Sequence, residues 1–305
     1  MRVFVTGASG HIGSAVVPEL LSAGHQVVGL ARSEKSADTL SAAGAAVQRG
    51  NLDDLDGLRA GAKQSDGVIH LAFKHEAMRA GDFASAVDAD LRAIEAIGDA
   101  LAGTGKPFVS TSGTLMLTFG GLARVGTEAD SVAAGPRIDA ENTVVALAER
   151  GVRSSVVRLP PTVHSSLDHH GYIPALIAIA RDKGAAGYVG DGSNRWPAGH
   201  TLDAARLYRL AFEGAPAGTR LHAVADEGIS FRQIAETIAR HLDVPAISVR
   251  PEEAAEHFGF LSAVVSLDNP TSSALTQTTL DWRPTHPGLI DDLDQGHYFN
   301  TPTEP

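Results

Sequence analysis

Arg2-Val-Phe-Val-Thr6-Gly7-Ala8-Ser9-Gly10-His11-Ile12-Gly13, running on into Ser14-Ala-Val-Val-Pro-Glu-Leu20, decides how the rest of the chain is read. Five residues of strand character break into three glycines, and apolar residues then recur at helical spacing. The first glycine permits a tight turn, the second lets the backbone approach a pyrophosphate, and the third lets helix and strand pack closely. Amides that open the helix have no partner within it, so they form an anion site. The pattern predicts a strand, turn and helix over residues 1 to about 33 that hold the pyrophosphate of a nicotinamide dinucleotide. Gly7, Ser9, Gly10, His11, Ile12 and Gly13 are its expected contacts.

Working outward, short apolar runs alternate with longer helix-patterned stretches, the signature of βαβ units and a parallel sheet covered on both faces. Strands are expected near 2–6, 26–31, 46–49, 67–72, 107–111 and 153–159, with helices near 12–23, 54–63, 82–103 and 137–150. After Pro160-Pro161 the composition is that of a loop, through His164-Ser165-Ser166-Leu167-Asp168-His169-His170-Gly171. Further helices are expected over 173–183 and 201–213, and strands over 187–190 and 220–224. Ser230 and Gln233 have capping-box spacing for a helix reaching about Leu242.

Composition narrows the classes. A chain of 305 residues suffices for one large α/β domain with a smaller lobe. Its formal charge of −11 repels a phosphate backbone, so nucleic acid is not an expected partner. No apolar run approaches the ~18 residues of a membrane span, and neither a span nor a leader before the first strand is expected. The absence of cysteine removes thiolate chemistry and disulfides and accords with a reducing cytoplasm. No ligand motif of recognised spacing points to a metal.

Thr6-Gly-Ala-Ser-Gly-His-Ile-Gly13 resembles the glycine turn of the extended short-chain dehydrogenase/reductase family, TGxxGxxG. Gly50-Asn51-Leu52-Asp53 is similar to the family's GDL segment, His70-Leu71-Ala72 to its HLA and Ser110-Thr-Ser112-Gly to its fifth-strand serine segment. Arg158-Leu-Pro160-Pro resembles its RPP, and Asp281-Trp282-Arg-Pro its LGWxP. The resemblance spans nearly the whole length. It implies cofactor contacts at Asn51, Leu52, Leu71, Ala72 and Pro160, and a doubly wound Rossmann α/β sheet with a small C-terminal α/β lobe.

Two departures shape the functional expectation. Where an NAD site carries a carboxylate after the second strand, this chain has Ala31, then Arg32 and Ser33, which suit a 2′-phosphate and predict NADP(H). In the resembling family a tyrosine lowered in pKa by a lysine four residues on donates the proton; taking Glu141 as marker, those places hold Ala133 and Arg137. Arg137 remains able to hold ribose hydroxyls but cannot cycle protons. Ser112 is left to orient a carbonyl, and a replacement donor is expected in the loop from His164 to Tyr172, ranked Tyr172 and His169 first, then His170 and His164. Arg195 and Trp196 either line the pocket or serve the lobe's own structure.

Together these features lead to the expectation of an atypical NADP(H)-dependent oxidoreductase of a small carbonyl or hydroxyl compound, cytoplasmic, with a homodimer left open. Residues 1–165 would form the cofactor domain, with 198–225 returning to it, and 166–197 and 226–305 the substrate lobe. A non-catalytic NADP(H)-binding redox sensor and a nucleotide-sugar epimerase or dehydratase are the alternatives.

Overall fold

The computed structural model describes residues 1–79 and 81–300. Apolar runs flanked by glycine and polar turns give seven strands: β1 (Arg2–Thr6), β2 (Gln26–Ala31), β3 (Ala46–Arg49), β4 (Gly67–His70), β5 (Pro107–Gly113), β6 (Arg153–Leu159) and, after three others described below, β10 (Thr219–His222). They form one sheet in the order β10-β6-β5-β4-β1-β2-β3. Every pairing in it is parallel. The order reverses between β1 and β4, where an open α/β sheet presents its ligand crevice.

The connecting helices are α1 (Gly13–Ser22), α2 (Glu34–Ala42), α3 (Leu55–Lys63), α4 (His75–Arg79), α5 (Phe83–Leu101), α6 (Leu115–Phe119) and α7 (Ile138–Ala146). Two cores follow from the alternation of side chains across β1. Val3 and Val5 pack towards α1, whereas Phe4 faces the core shared with α3, α5 and α7. Both layers are needed because β1, β4 and β5 are almost entirely buried.

Beyond β6 the chain forms β7 (Thr162–His164), α8 (Tyr172–Lys183), β8 (Ala186–Val189), β9 (Arg195–His200) and α9 (Thr201–Gly214). The remaining elements are β11 (Asp226–Ser230), α10 (Phe231–Leu242), β12 (Ala246–Val249), α11 (Ala254–Phe258), α12 (Ala274–Leu280) and α13 (Leu289–Asp294). Strands β11, β9 and β7 form a second sheet, and β12 pairs with β8. A third core, with Trp196, Phe231, Ile234 and Phe258, lies in this C-terminal part. Trp282, by contrast, is fully buried in the α1 and α9 core, its indole N–H donating to the Asp203 carbonyl.

Several local expectations are corrected. His164, read as the start of a loop, instead ends a strand, Thr162–His164, that forms through parallel pairing with β9. The second βα connection contains α2, whose weak apolar pattern hides a helix fixed by the Ser33 and Ser36 capping box. Strand β4 stops at His70 rather than 72, and β5 continues to Gly113. Most consequentially, the helix expected over 137–150 begins after Arg137, which caps it in the left-handed conformation at φ 62°.

Candidate functional site

At the glycine-rich turn, each glycine is required for a different reason. Gly7 has φ 67°, and a Cβ there would lie 2.7 Å from the Ala72 amide nitrogen. A Cβ on Gly13 would sit 2.2 Å from the Gly7 carbonyl oxygen, inside the turn itself. Gly10 is exposed, and a Cβ there would come within 3.3 Å of the Gly7 carbonyl oxygen, a tight contact though a looser one than at Gly7 or Gly13. No side chain caps α1; the Ser14 and Ala15 amides donate to the Gly10 and Ile12 carbonyls, and the amides of His11, Ile12 and Gly13, without a backbone partner among the described residues, are left for an anion. These features fit a dinucleotide pyrophosphate.

A buried relay that the sequence did not reveal fixes this turn against β4. The Asp90 carboxylate on α5 contacts His70 Nε2 at 3.1 Å, and His70 Nδ1 meets Thr6 Oγ1 at 2.8 Å. With Asp90 accepting at Nε2, Nδ1 accepts from the Thr6 hydroxyl, whose oxygen accepts the Ala72 amide at 3.3 Å. Leu71 and Ala72, half-buried, thereby hold their place beside Gly7.

At the adenosine end, Ala31 is buried and Arg32 and Ser33 are exposed. Ser33 is spent on the cap of α2. Arg32 donates to both carboxylate oxygens of Glu76 at 3.0 and 2.5 Å. Asn51 shapes its own turn by accepting the Asp53 amide, and Leu52 is buried beneath it. Lys74 donates to both oxygens of Asp53 at 2.8 and 2.7 Å.

At the other end, Arg137 lies 4.2 Å above the Phe73 ring and donates to the Thr111 carbonyl at 3.3 Å. Ala133 is exposed and precedes α7, so the one-turn juxtaposition of tyrosine and lysine has no counterpart in backbone either. Tyr172, the first residue of α8, is half-buried with its ring 5.6 Å from that of Trp196. Burial pushes its hydroxyl upward in pKa, and the Arg137 guanidinium pulls it back. The Arg137 charge thus acts on a tyrosine that comes from α8 rather than from α7.

Ser112 is buried beside Glu141, and its hydroxyl has no hydrogen-bond partner among the described residues. Burial raises the Glu141 carboxyl, but the Arg158 guanidinium, with Arg220, outweighs it and holds it below the usual range. Arg158 is buried with it, donating from Nε at 3.0 Å and from a terminal nitrogen at 2.5 Å. Pro160 is buried at the end of β6.

The loop histidines separate into two groups. His169 and His170 are exposed. His164 is fully buried, its Nδ1 2.8 Å from Asp292, and its ring meets His200 edge-on across the β7 and β9 pairing. His11 reaches from the glycine turn to Thr201 Oγ1 at 2.9 Å, and burial among His169, His164 and His170 lowers its pKa to about 4. Asp168 stands 3.8 Å from His11, and burial raises it to about 6 despite bonds from the Gly171 amide and Tyr298 hydroxyl. Arg195 pairs with Asp268, and Trp196 is fully buried, so both serve the lobe's own structure. Among the described residues there is no metal-ligand cluster and no helix long and apolar enough to cross a membrane.

This arrangement defines a nicotinamide-dinucleotide enzyme of the short-chain dehydrogenase/reductase type, and the chain belongs to the NAD dependent epimerase/dehydratase family, which it matches over residues 3–223. The uncharacterized protein C2A9.02 of Schizosaccharomyces pombe is 51% identical over 301 residues, covering 98% of this chain and 100% of the relative. The uncharacterized protein YLL056C of Saccharomyces cerevisiae is 41% identical over 302 residues, with coverage of 98% and 100%. Among solved structures, the dTDP-glucose 4,6-dehydratase DesIV from Streptomyces venezuelae, with NAD and TYD bound, superposes with a TM-score of 0.76. It shares 18% identity over 97% of this chain and 96% of its own, a likeness of fold alone.

Proposed function

We propose that this chain is an atypical NADP(H)-dependent oxidoreductase of a small carbonyl or hydroxyl compound, with Tyr172 as proton donor. The observation that carries the reading is the half-buried Tyr172 at the start of α8, its ring against Trp196, with Arg137 held over Phe73. Hydride transfer is the chemistry the cofactor supplies when bound. The glycine turn would hold its pyrophosphate, Arg32 its 2′-phosphate, and Arg137 its nicotinamide-side ribose from beside Phe73. Residues 166–197 and 226–305 would close over the substrate, with 1–165 and 198–225 serving the cofactor.

A phenol kept protonated by burial suits donation to a strongly basic alkoxide. Ser112, with an unspent hydroxyl, would orient the carbonyl oxygen. His169, exposed on the same loop, is the second donor and relays protons to solvent. Cytoplasmic residence belongs to the same reading, supported by the cysteine-free chain.

The test is a screen of ketones, aldehydes and enones with NADPH, followed by turnover of Tyr172→Phe on any substrate found. Loss of turnover with NADPH binding retained supports the assignment. Tight NADPH binding without turnover on a broad panel transfers the case to a redox sensor.

A further inference from the structure

We propose that Glu76 is an intramolecular stand-in for the cofactor's 2′-phosphate, so that its displacement from Arg32 sets how strongly NADP(H) is preferred over NAD(H). This rests on the assignment of Arg32 to the 2′-phosphate. Two parallel bonds from a guanidinium fork to a carboxylate are the geometry in which the same fork takes a phosphate. The free protein therefore holds Arg32 already shaped for an anion, with Glu76 occupying its place.

Glu76 is delivered there by the segment that follows β4. Lys74 ties one end of that segment to Asp53 in the β3–α3 connection, and Glu76 ties the other to Arg32 in the β2–α2 connection. Residues 74–76 thus form a strap across the edge at which the adenosine ribose would lie, between Arg32 and the Asn51-Leu52 turn. The side chains of Arg32 and Glu76 are 66% and 72% exposed, so water can replace either partner and the latch opens readily.

An arriving 2′-phosphate competes for the fork with a greater charge than the carboxylate and repels it once bound. Glu76 must then swing away, carrying the start of α4 with it. NAD(H) brings no such group and leaves the Arg32 and Glu76 pair closed. Glu76 consequently opposes the phosphorylated cofactor specifically, although it is not itself a phosphate ligand.

The experiment is a fluorescence titration of the full chain with NADPH and NADH, using wild type, Glu76→Gln, Arg32→Ala and the double variant. Glu76→Gln is expected to tighten NADPH by about fivefold, the scale of one exposed charge contact, with NADH unchanged. The gain should vanish in the Arg32→Ala background and shrink as salt is raised. Unchanged or weakened NADPH binding, equal shifts for both cofactors, or a loss of NADH affinity each overturn the proposal, the last by showing that Glu76 accepts from a ribose hydroxyl. Arg32→Ala alone separates the two levels. If it weakens NADPH selectively while Glu76→Gln has no effect, the cofactor assignment stands and the stand-in falls; if it weakens both cofactors alike, the assignment falls as well.

Discussion

The glycine turn and the segment before α7 both border the residues that follow β4, the one at Ala72 and the other at Phe73, and are built in different ways. At the turn, recognition is a property of backbone: Gly7, Gly10 and Gly13 create space and leave amides, and neighbouring side chains only brace them. Before α7, Gly135-Pro136-Arg137 replaces the regular helical turn that a tyrosine and lysine pair would need. On the proposed reading, chemistry there depends on side chains delivered from elsewhere, Tyr172 from α8 and Arg137 from the cap of α7. A backbone site tolerates little change in sequence. A side-chain site can be rebuilt from another loop without altering the fold.

The largest expected effect would come from violating the backbone end. Gly13→Ala puts a methyl group into the Gly7 carbonyl and Ala8, which cannot yield as a flexible side chain can, and should destabilise by about 3 kcal/mol or more in urea unfolding. Gly10→Val is the contrasting variant: with a looser contact to the Gly7 carbonyl, its unfolding midpoint should fall far less than that of Gly13→Ala while NADPH binding is severely weakened. A folded Gly10→Val that binds NADPH normally would mean that the pyrophosphate lies elsewhere.

At the side-chain end, Tyr172→Phe should lower kcat by ~10²-fold with NADPH affinity retained, the usual scale of general acid catalysis. Smaller losses are expected for Ser112→Ala and His169→Ala. Near-normal turnover in all three, and in His170→Ala and His164→Ala, would remove the loop from the proton path. Arg32→Ala should weaken NADPH by about 1.5 to 3 kcal/mol, typical of a charged hydrogen bond, with NADH almost unaffected.

The smallest effect concerns the histidine junction that joins the turn to the C-terminal part. Burial, with His164 and His286 nearby, lowers His200 to about 4 from 6.5. The unfolded chain then takes up a proton first, so this contribution is complete above pH 6.5 and is lost as the pH falls from 6.5 towards 4. Asp168, raised to about 6 by burial, works oppositely: its contribution is present below its unfolded value of 3.8 and is lost as the pH rises through 6. Comparing urea midpoints at pH 7 and 5.5, His200 should account for a loss of about 1 kcal/mol. His200→Asn keeps an acceptor for the Leu202 amide and should remove that part of the slope; an unchanged slope would exclude His200 as its source.

The sequence by itself determined the sheet and the glycine turn, because apolar periodicity and glycine spacing act over a few neighbouring residues. Arg2–Thr6, Gln26–Ala31 and Arg153–Leu159 are strands with the expected bounds. It also determined which residue types are absent from positions 133 and 137. Only the tertiary structure decided what surrounds them. Thr162–His164 becomes a strand through β9, Arg32 meets Glu76 from 44 positions away, and His70 joins Thr6 to Asp90 through a buried relay. Arg137 leaves the helix because the backbone before α7 turns left-handed. Each of these depends on contacts between residues distant in the chain, whose burial and register exist only once the sheet and both lobes have packed together.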